Sequence, residues 1–232
     1  MATQALNLYS RNKAVTAGTT ESLAEANTPG SLTAAPFLYR VKAGGSAGDT
    51  AAGVGCRAII IKGLDNTGFE VEEVIPTAGT NASDDGIISF HRINSIDPYF
   101  LGAALSTQSG TITVEKTVTG DVALLEANPG TWGGHQYTVP IGKRAVIKRI
   151  SLTSDKDAFT LLVKRYKNSV LVQTAPWLSS EVEDVYHTIG SSLEIDLDIT
   201  LDPVEMIWLR VTNDNGAEAD ITSNIEGTLY TL

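Results

Sequence analysis

Gly53-Val54-Gly55-Cys56-Arg57-Ala58-Ile59-Ile60-Ile61-Lys62-Gly63-Leu64-Asp65, followed by Glu70-Val71-Glu72-Glu73-Val74, decides the fold class. A glycine pair opens a β-branched apolar run. Gly63-Leu64-Asp65-Asn66-Thr67-Gly68 ends it, and a second run then mixes acids with apolar residues. The β-branched run favours an extended backbone, and the Gly/Asn/Asp cluster supplies a tight turn, so the stretch predicts a β-hairpin or meander. It contains no nucleophile, metal-ligand cluster or phosphate cradle.

The same signals recur on both sides. Phe37–Val41, Arg57–Lys62, Phe69–Ile75, Ile87–Ile93 and Gly110–Glu115 predict a first β unit over residues 37–118, a small sandwich or barrel. Residues 119–135 contain the breaker cluster Asn128-Pro129-Gly130-Thr131-Trp132-Gly133-Gly134 and predict a linker. Residues 136–232 contain short runs such as Ala145–Leu152, Phe159–Tyr166, Val170–Thr174 and Met206–Thr212. They predict a second antiparallel unit, a jelly-roll-like sandwich. Leu193-Glu194-Ile195-Asp196-Leu197-Asp198-Ile199 alternates strictly, with one face for a core and one for water. Residues 1–36 are rich in Ala, Thr, Asn and Ser, with weak periodicity, and predict an extended arm ordered by a partner. The fold class expected is all-β, in two antiparallel units.

Among 232 residues, 42% are hydrophobic and 19% charged, enough apolar material for a buried core. The net charge is −10, which argues against nucleic acid as a partner. The charge is uneven. Lys143 to Trp177 holds eight basic residues against two acids, and Leu178 to Leu232 holds twelve acids against Arg210 alone. Two readings fit: basic strands beside acidic strands in one sheet, or a head-to-tail contact between subunits. The single Cys56 excludes an intrachain disulfide, and a small buried side chain is its expected role. The first residues lack a basic region with an apolar core, and no apolar run approaches about 18 residues. Neither a signal peptide nor a membrane span is expected.

Candidate chemistry is sparse. His91, His135 and His187 form no His-x-His or His-Glu-x-x-His pattern, so no metal site is expected. Asp196 and Asp198 share a strand face and read as a solvated row. Asp84-Asp85-Gly86 reads as a turn. Gly44-Gly45-Ser46-Ala47-Gly48-Asp49 lacks the Gly-Lys-Ser/Thr ending of a phosphate loop. Trp208 sits in an apolar strand and reads as core. Trp132 and Trp177 sit in Gly- or Pro-flanked stretches, where subunit contact is the stronger reading and sugar binding the weaker. With Lys143 and Arg144 at the start of the basic run, they are the candidate interface residues. No enzyme and no cofactor is expected.

The order of pieces resembles tailed-bacteriophage virion structural proteins. Ile61-Lys62-Gly63-Leu64-Asp65 leads to Phe69-Glu70-Val71-Glu72-Glu73, then Gly79-Thr80, then Ser89-Phe90-His91-Arg92-Ile93-Asn94. Gly110-Thr111-Ile112-Thr113-Val114 and Tyr137-Thr138-Val139-Pro140-Ile141-Gly142-Lys143 complete the series, which spans about residues 59–143. The resemblance implies a particle component and carries over no functional residues. Together with the acidic, disulfide-free β composition, it implies a capsid cement or decoration protein. Such a protein would bind the major capsid protein on the outer surface of the capsid, as a homotrimer, after synthesis in the host cytoplasm. The alternative is a head or tail fibre module that binds a receptor or glycan.

Overall fold

The structure, a computed structural model, describes residues 2–22, 36–103, 108–117, 120–125, 132–133, 135–166 and 180–232. The described residues hold antiparallel strands and no helix. In chain order the strands are β1 (Thr3–Val15), β2 (Thr20–Ser22), β3 (Tyr39–Val41), β4 (Cys56–Leu64), β5 (Glu70–Pro76), β6 (Arg92–Leu101), β7 (Ile112–Lys116) and β8 (Asp121–Leu125). They continue with β9 (Trp132–Gly133), β10 (Gln136–Thr138), β11 (Lys143–Ser154), β12 (Phe159–Tyr166), β13 (Ser180–Thr188), β14 (Ser192–Leu201), β15 (Met206–Asn213) and β16 (Ala219–Thr231).

The chain divides into two compact units. Unit 1 joins residues 1–27 to residues 133–232, and unit 2 is residues 28–132. This corrects the expected boundaries in two places. Thr3–Val15 is no partner-ordered arm, because it pairs in register with β16 from Thr3–Tyr230 to Asn12–Ile221. Its inward row holds Leu6, Ser10, Asn12 and Val15, all buried. Two of the four are polar, which flattens the hydropathy pattern on which the sequence reading relies. The expected linker, residues 119–135, contains β8, whose Leu125, Leu124 and Ala123 pair with Ile112, Thr113 and Val114 of β7. The expected strand at Ile87–Ile93 also shifts. Pairing with β4 begins at Arg92, and Phe90 makes an isolated bridge to Phe37. The expected strand Val170–Thr174 lies outside the described residues.

Unit 1 contains two sheets, ordered β1-β16-β11-β14 and β10-β15-β12-β13, with β2 also on β15. Leu161, Val163, Leu209 and Val211 of one sheet and Ile147, Ile150, Ile221 and Ile225 of the other are fully buried in one apolar cluster. Each such side chain contributes roughly 1.5–3 kcal/mol on burial. At Gly227 the sheet closes tightly. A Cβ there would press on the Val146 carbonyl oxygen, beside the irregularity between Ile147 and Arg149 of β11.

β2 and β10 are two halves of one strand position. Ser22 lies opposite Arg210, and Gln136 lies opposite Trp208. Between them the Leu209 amide donates to the His135 carbonyl at 2.6 Å. Unit 2 is thus inserted into the middle of a strand, and the chain resumes its register one position further along β15.

Unit 2 contains the sheets β3-β7-β8 and β5-β4-β6-β9. The hairpin expected from Gly53–Val74 is present, with Leu64 opposite Glu70 and Ala58 opposite Pro76. Ile59, Ile61, Ile75 and Ile96 from one sheet, and Tyr39, Val41, Ile112 and Val114 from the other, are buried.

Candidate functional site

The ends of β4, β5 and β6 gather apolar side chains on the surface of unit 2. Ala58 lies opposite Pro76 on one side and Phe100 on the other, and Cys56 lies opposite Leu101. This register brings Ala58, Val74, Pro76, Phe100 and Leu101 together with Ala51 and Arg57 around a shallow groove of about 400 Å³. Phe100 is 55% exposed, and Tyr99 packs edge-on against it with ring centroids 4.4 Å apart. Val54, Val74, Tyr99 and Leu101 are likewise exposed. Single exposed apolar residues are ordinary, whereas a contiguous exposed set is the kind of surface that a partner can cover. Arg57 supplies the groove's one cation. Its Nε donates to the Gly53 carbonyl at 2.8 Å, and its terminal nitrogens have no acceptor among the described residues.

A buried carboxylate fixes the wall of this groove. Asp49 is 2% exposed. Its Oδ1 accepts the Cys56 and Ser109 amides, each at 2.7 Å, and its Oδ2 accepts the Gly110 amide at 2.9 Å. Its own amide donates to Ser46, and its carbonyl accepts from Gly79. The loop bearing Ala51 and Val54 is therefore tied to the start of β4 and to the segment before β7. A Cβ at Gly55 would collide with Asp49 Oδ1 and the Ser109 Oγ, so only glycine lets the chain pass there. The glycine-rich pattern of Gly44–Asp49 marks a loop and carries no sign of this role. The amides that Asp49 binds lie 7, 60 and 61 residues away.

A second buried polar group lies within the same unit. His91 and Arg92 are 3% and 1% exposed. Neither ring nitrogen of His91 has a hydrogen-bond partner. Burial pushes the His91 imidazole down to about 4, and the neighbouring Arg92 acts in the same direction. Burial likewise lowers Arg92, to about 10, and raises Tyr39. Burial also raises the Cys56 thiol, to about 11, and its Sγ donates to the Ala58 carbonyl, so it is an inert packed side chain.

Of the candidate interface residues, Lys143 and Arg144 both lie in unit 1. Lys143 opens β11 opposite Thr231. Arg144 pairs with Asp202 at 2.8 Å on the surface of unit 1. Trp132 lies in β9 of the unit 2 sheet, and its side chain is outside what is described; Trp177 lies outside the described residues altogether. Trp208 is buried, as expected, with Arg210 stacked 5.3 Å from its ring centroid. His135 is buried and His187 is exposed beside Thr160 and Asp214. No group of three metal-ligating side chains occurs among the described residues. The uneven charge finds partners inside one sheet. Lys148 meets Asp198 at 2.7 Å, and Arg149 meets Glu194 at 3.0 Å and Asp196 at 3.2 Å, all across the β11–β14 pair.

No family model matches this chain, and no curated protein does. Among solved structures, the chain is similar to one in the structure of infectious bursal disease virus Gt strain, at 8% identity. That match covers 98% of this chain and 71% of that chain, with a TM-score of 0.26. A second is in the structure of infectious bursal disease virus Gx strain, at 9% identity, covering 99% and 71%, with a TM-score of 0.25.

Proposed function

We propose that this chain is a virion structural protein of a tailed phage, a cement or decoration protein on the outer surface of the capsid. It acts without catalysis, by protein–protein contact with the major capsid protein. The observation that carries this reading is the contiguous apolar surface of unit 2 around Phe100, braced by Asp49 and presented on a sheet rather than on a loose loop. Aromatic and aliphatic area of this kind supplies binding energy at roughly 25 cal/mol per Å² before ordering costs. Exposed ion pairs add little to affinity.

Unit 1 supports the same reading. Counting β2 and β10 as one position, its described strands number eight: β1, β2/β10, β11, β12, β13, β14, β15 and β16. The two sheets then run first-eighth-third-sixth and second-seventh-fourth-fifth. That order is the one a jelly roll has, an architecture used by viral capsid and lectin domains. On this reading unit 1 is the jelly roll, and unit 2 is an insertion in its second strand that bears the contact surface.

The test is to image phage particles with a label directed at this chain and to measure its occupancy. Labelling spread over the shell in many copies is expected, with occupancy lowered several-fold by Phe100→Asp. Label confined to a vertex or tail would replace cement with the fibre reading. No label on particles, or full occupancy of the Phe100→Asp variant, would overturn the proposal.

A further inference from the structure

The open edges of the sheets are guarded unequally. An edge strand offers unpaired amides and carbonyls to any other strand, and charges or proline on the edge discourage that pairing. β14 carries Glu194, Asp196 and Asp198, and β5 carries three glutamates and ends in Pro76. β1 stands at the end of its sheet with no described strand on its far side. From Thr3 to Ser10 it has neither a charge nor a proline.

The direction of its backbone groups follows from one hydrogen bond. The Thr231 amide donates to the Ala2 carbonyl at 3.0 Å, so Ala2 faces β16. In an antiparallel ladder alternate residues face the same neighbour. Gln4, Leu6, Leu8 and Ser10 therefore also bond toward β16, and the register runs unbroken as far as Asn12. Thr3, Ala5, Asn7 and Tyr9 turn their amides and carbonyls to the open side.

We propose that β1 pairs antiparallel with β1 of a second copy about a two-fold axis at Leu6, fusing two four-stranded sheets into one. In that register Thr3 faces Tyr9 and Ala5 faces Asn7, so every outward group gains a partner, about eight backbone hydrogen bonds in all. Leu6 meets its own counterpart on the core side, and Gln4 meets Leu8. No charge opposes a like charge, and Arg11 falls beyond the paired stretch. The uncharged run is self-complementary about its middle, which argues for a second copy rather than an unrelated strand. β14 paired with itself would set acids against acids.

Ala5→Pro separates this contact from the fold. The Ala5 amide points outward, so proline there leaves the β1–β16 ladder intact and removes a donor only from the open edge. Leu6→Pro takes a donor from the ladder and serves as the destabilised control. By analytical ultracentrifugation the full chain is expected at twice its 24.6 kDa mass. Ala5→Pro is expected at the single-chain mass with an unchanged circular dichroism spectrum. The double variant Ala5→Cys/Asn7→Cys is expected to give a covalent dimer on oxidation. A monomeric or trimeric native chain, or a dimer that Ala5→Pro leaves intact, would overturn the proposal. So would a monomer whose capture on particles falls with Ala5→Pro, since that edge would then hold a strand of another protein.

Discussion

Asp49 shows how one side chain can hold a surface in place. Replacing it with alanine leaves the Cys56, Ser109 and Gly110 amides without their acceptor. Leaving buried donors unsatisfied costs about 1–3 kcal/mol each, so Asp49→Ala is expected to destabilise unit 2 by roughly 3 kcal/mol after relaxation and water entry. Urea unfolding measures the loss, and faster hydrogen exchange at those three amides locates it. The histidines give unit 2 and unit 1 an acid limit. The folded His91 and His135 imidazoles are pushed down to about 4, below the unfolded value of about 6.5, so folding favours the neutral rings. Their contribution is complete above about pH 6.5 and is lost as pH falls toward 4. The urea midpoint is expected to drop across that window. His91→Leu, which forfeits no hydrogen bond of the ring, is expected to flatten the pH slope of unit 2 while leaving its stability at pH 7 within about 1.5 kcal/mol. None of these roles was legible in the sequence. A histidine beside an arginine says nothing of burial, and an aspartate in a glycine-rich loop says nothing of distant amides.

Strands declared themselves where apolar residues were β-branched and the turn chemistry was strong. Cys56–Leu64 and Glu70–Pro76 pair as the Ile59-Ile60-Ile61 run and the Asp65–Gly68 turn require, and Asp65 Oδ1 caps that turn by accepting the Thr67 and Phe69 amides. Burial along Ser192–Leu201 alternates as the Leu/Glu/Ile/Asp pattern demands. β1 hid because its inward residues include Ser10 and Asn12. Ser10 is satisfied inside the sheet by Ser223, Oγ to Oγ at 2.7 Å, and Asn12 Oδ1 accepts the Ala14 amide. The close approach of β11 and β16 gives a test at this scale. Gly227→Ala would force its Cβ against the Val146 carbonyl, a backbone atom with no rotamer to change. Unit 1 is expected to lose about 2–3 kcal/mol, typical of overpacking at a tight site, measured as a lower urea midpoint at unchanged slope. Outside the close approach, Thr222→Ala on the same strand, which gives up only an exposed hydroxyl pair with Thr153, is expected to cost less than about 1 kcal/mol.

At the scale of the whole molecule, the chain begins and ends in unit 1 and visits unit 2 in between. The breaker cluster within residues 119–135 marks a boundary, but the weak periodicity of residues 1–36 predicts an arm where the structure has β1 and β2. A strand position split between three residues at Thr20–Ser22 and three at Gln136–Thr138 has no periodicity to detect. The split makes a sharp prediction. Ser22 lies opposite Arg210, and the His135 carbonyl takes the amide of Leu209, the next residue along β15. Deleting residues 23–134 and joining Ser22 directly to His135 is therefore expected to heal the strand without a linker. The product should fold alone, with a β-type circular dichroism spectrum and a single cooperative urea transition. Deleting residues 2–22 is expected to do the reverse. It strips β1 from one sheet and β2 from the other, removes buried Leu6 and Val15, and should unfold unit 1 rather than trim a tail. The healed unit 1 also separates the β1 edge contact from the contact at the Phe100 groove. It keeps β1 and is expected to dimerise, and it lacks the groove around Phe100 and is expected to lose attachment to particles. An aggregated or unfolded product of the 23–134 deletion would show that unit 2 is needed to complete unit 1, and the reading of unit 2 as a mid-strand insertion would fall.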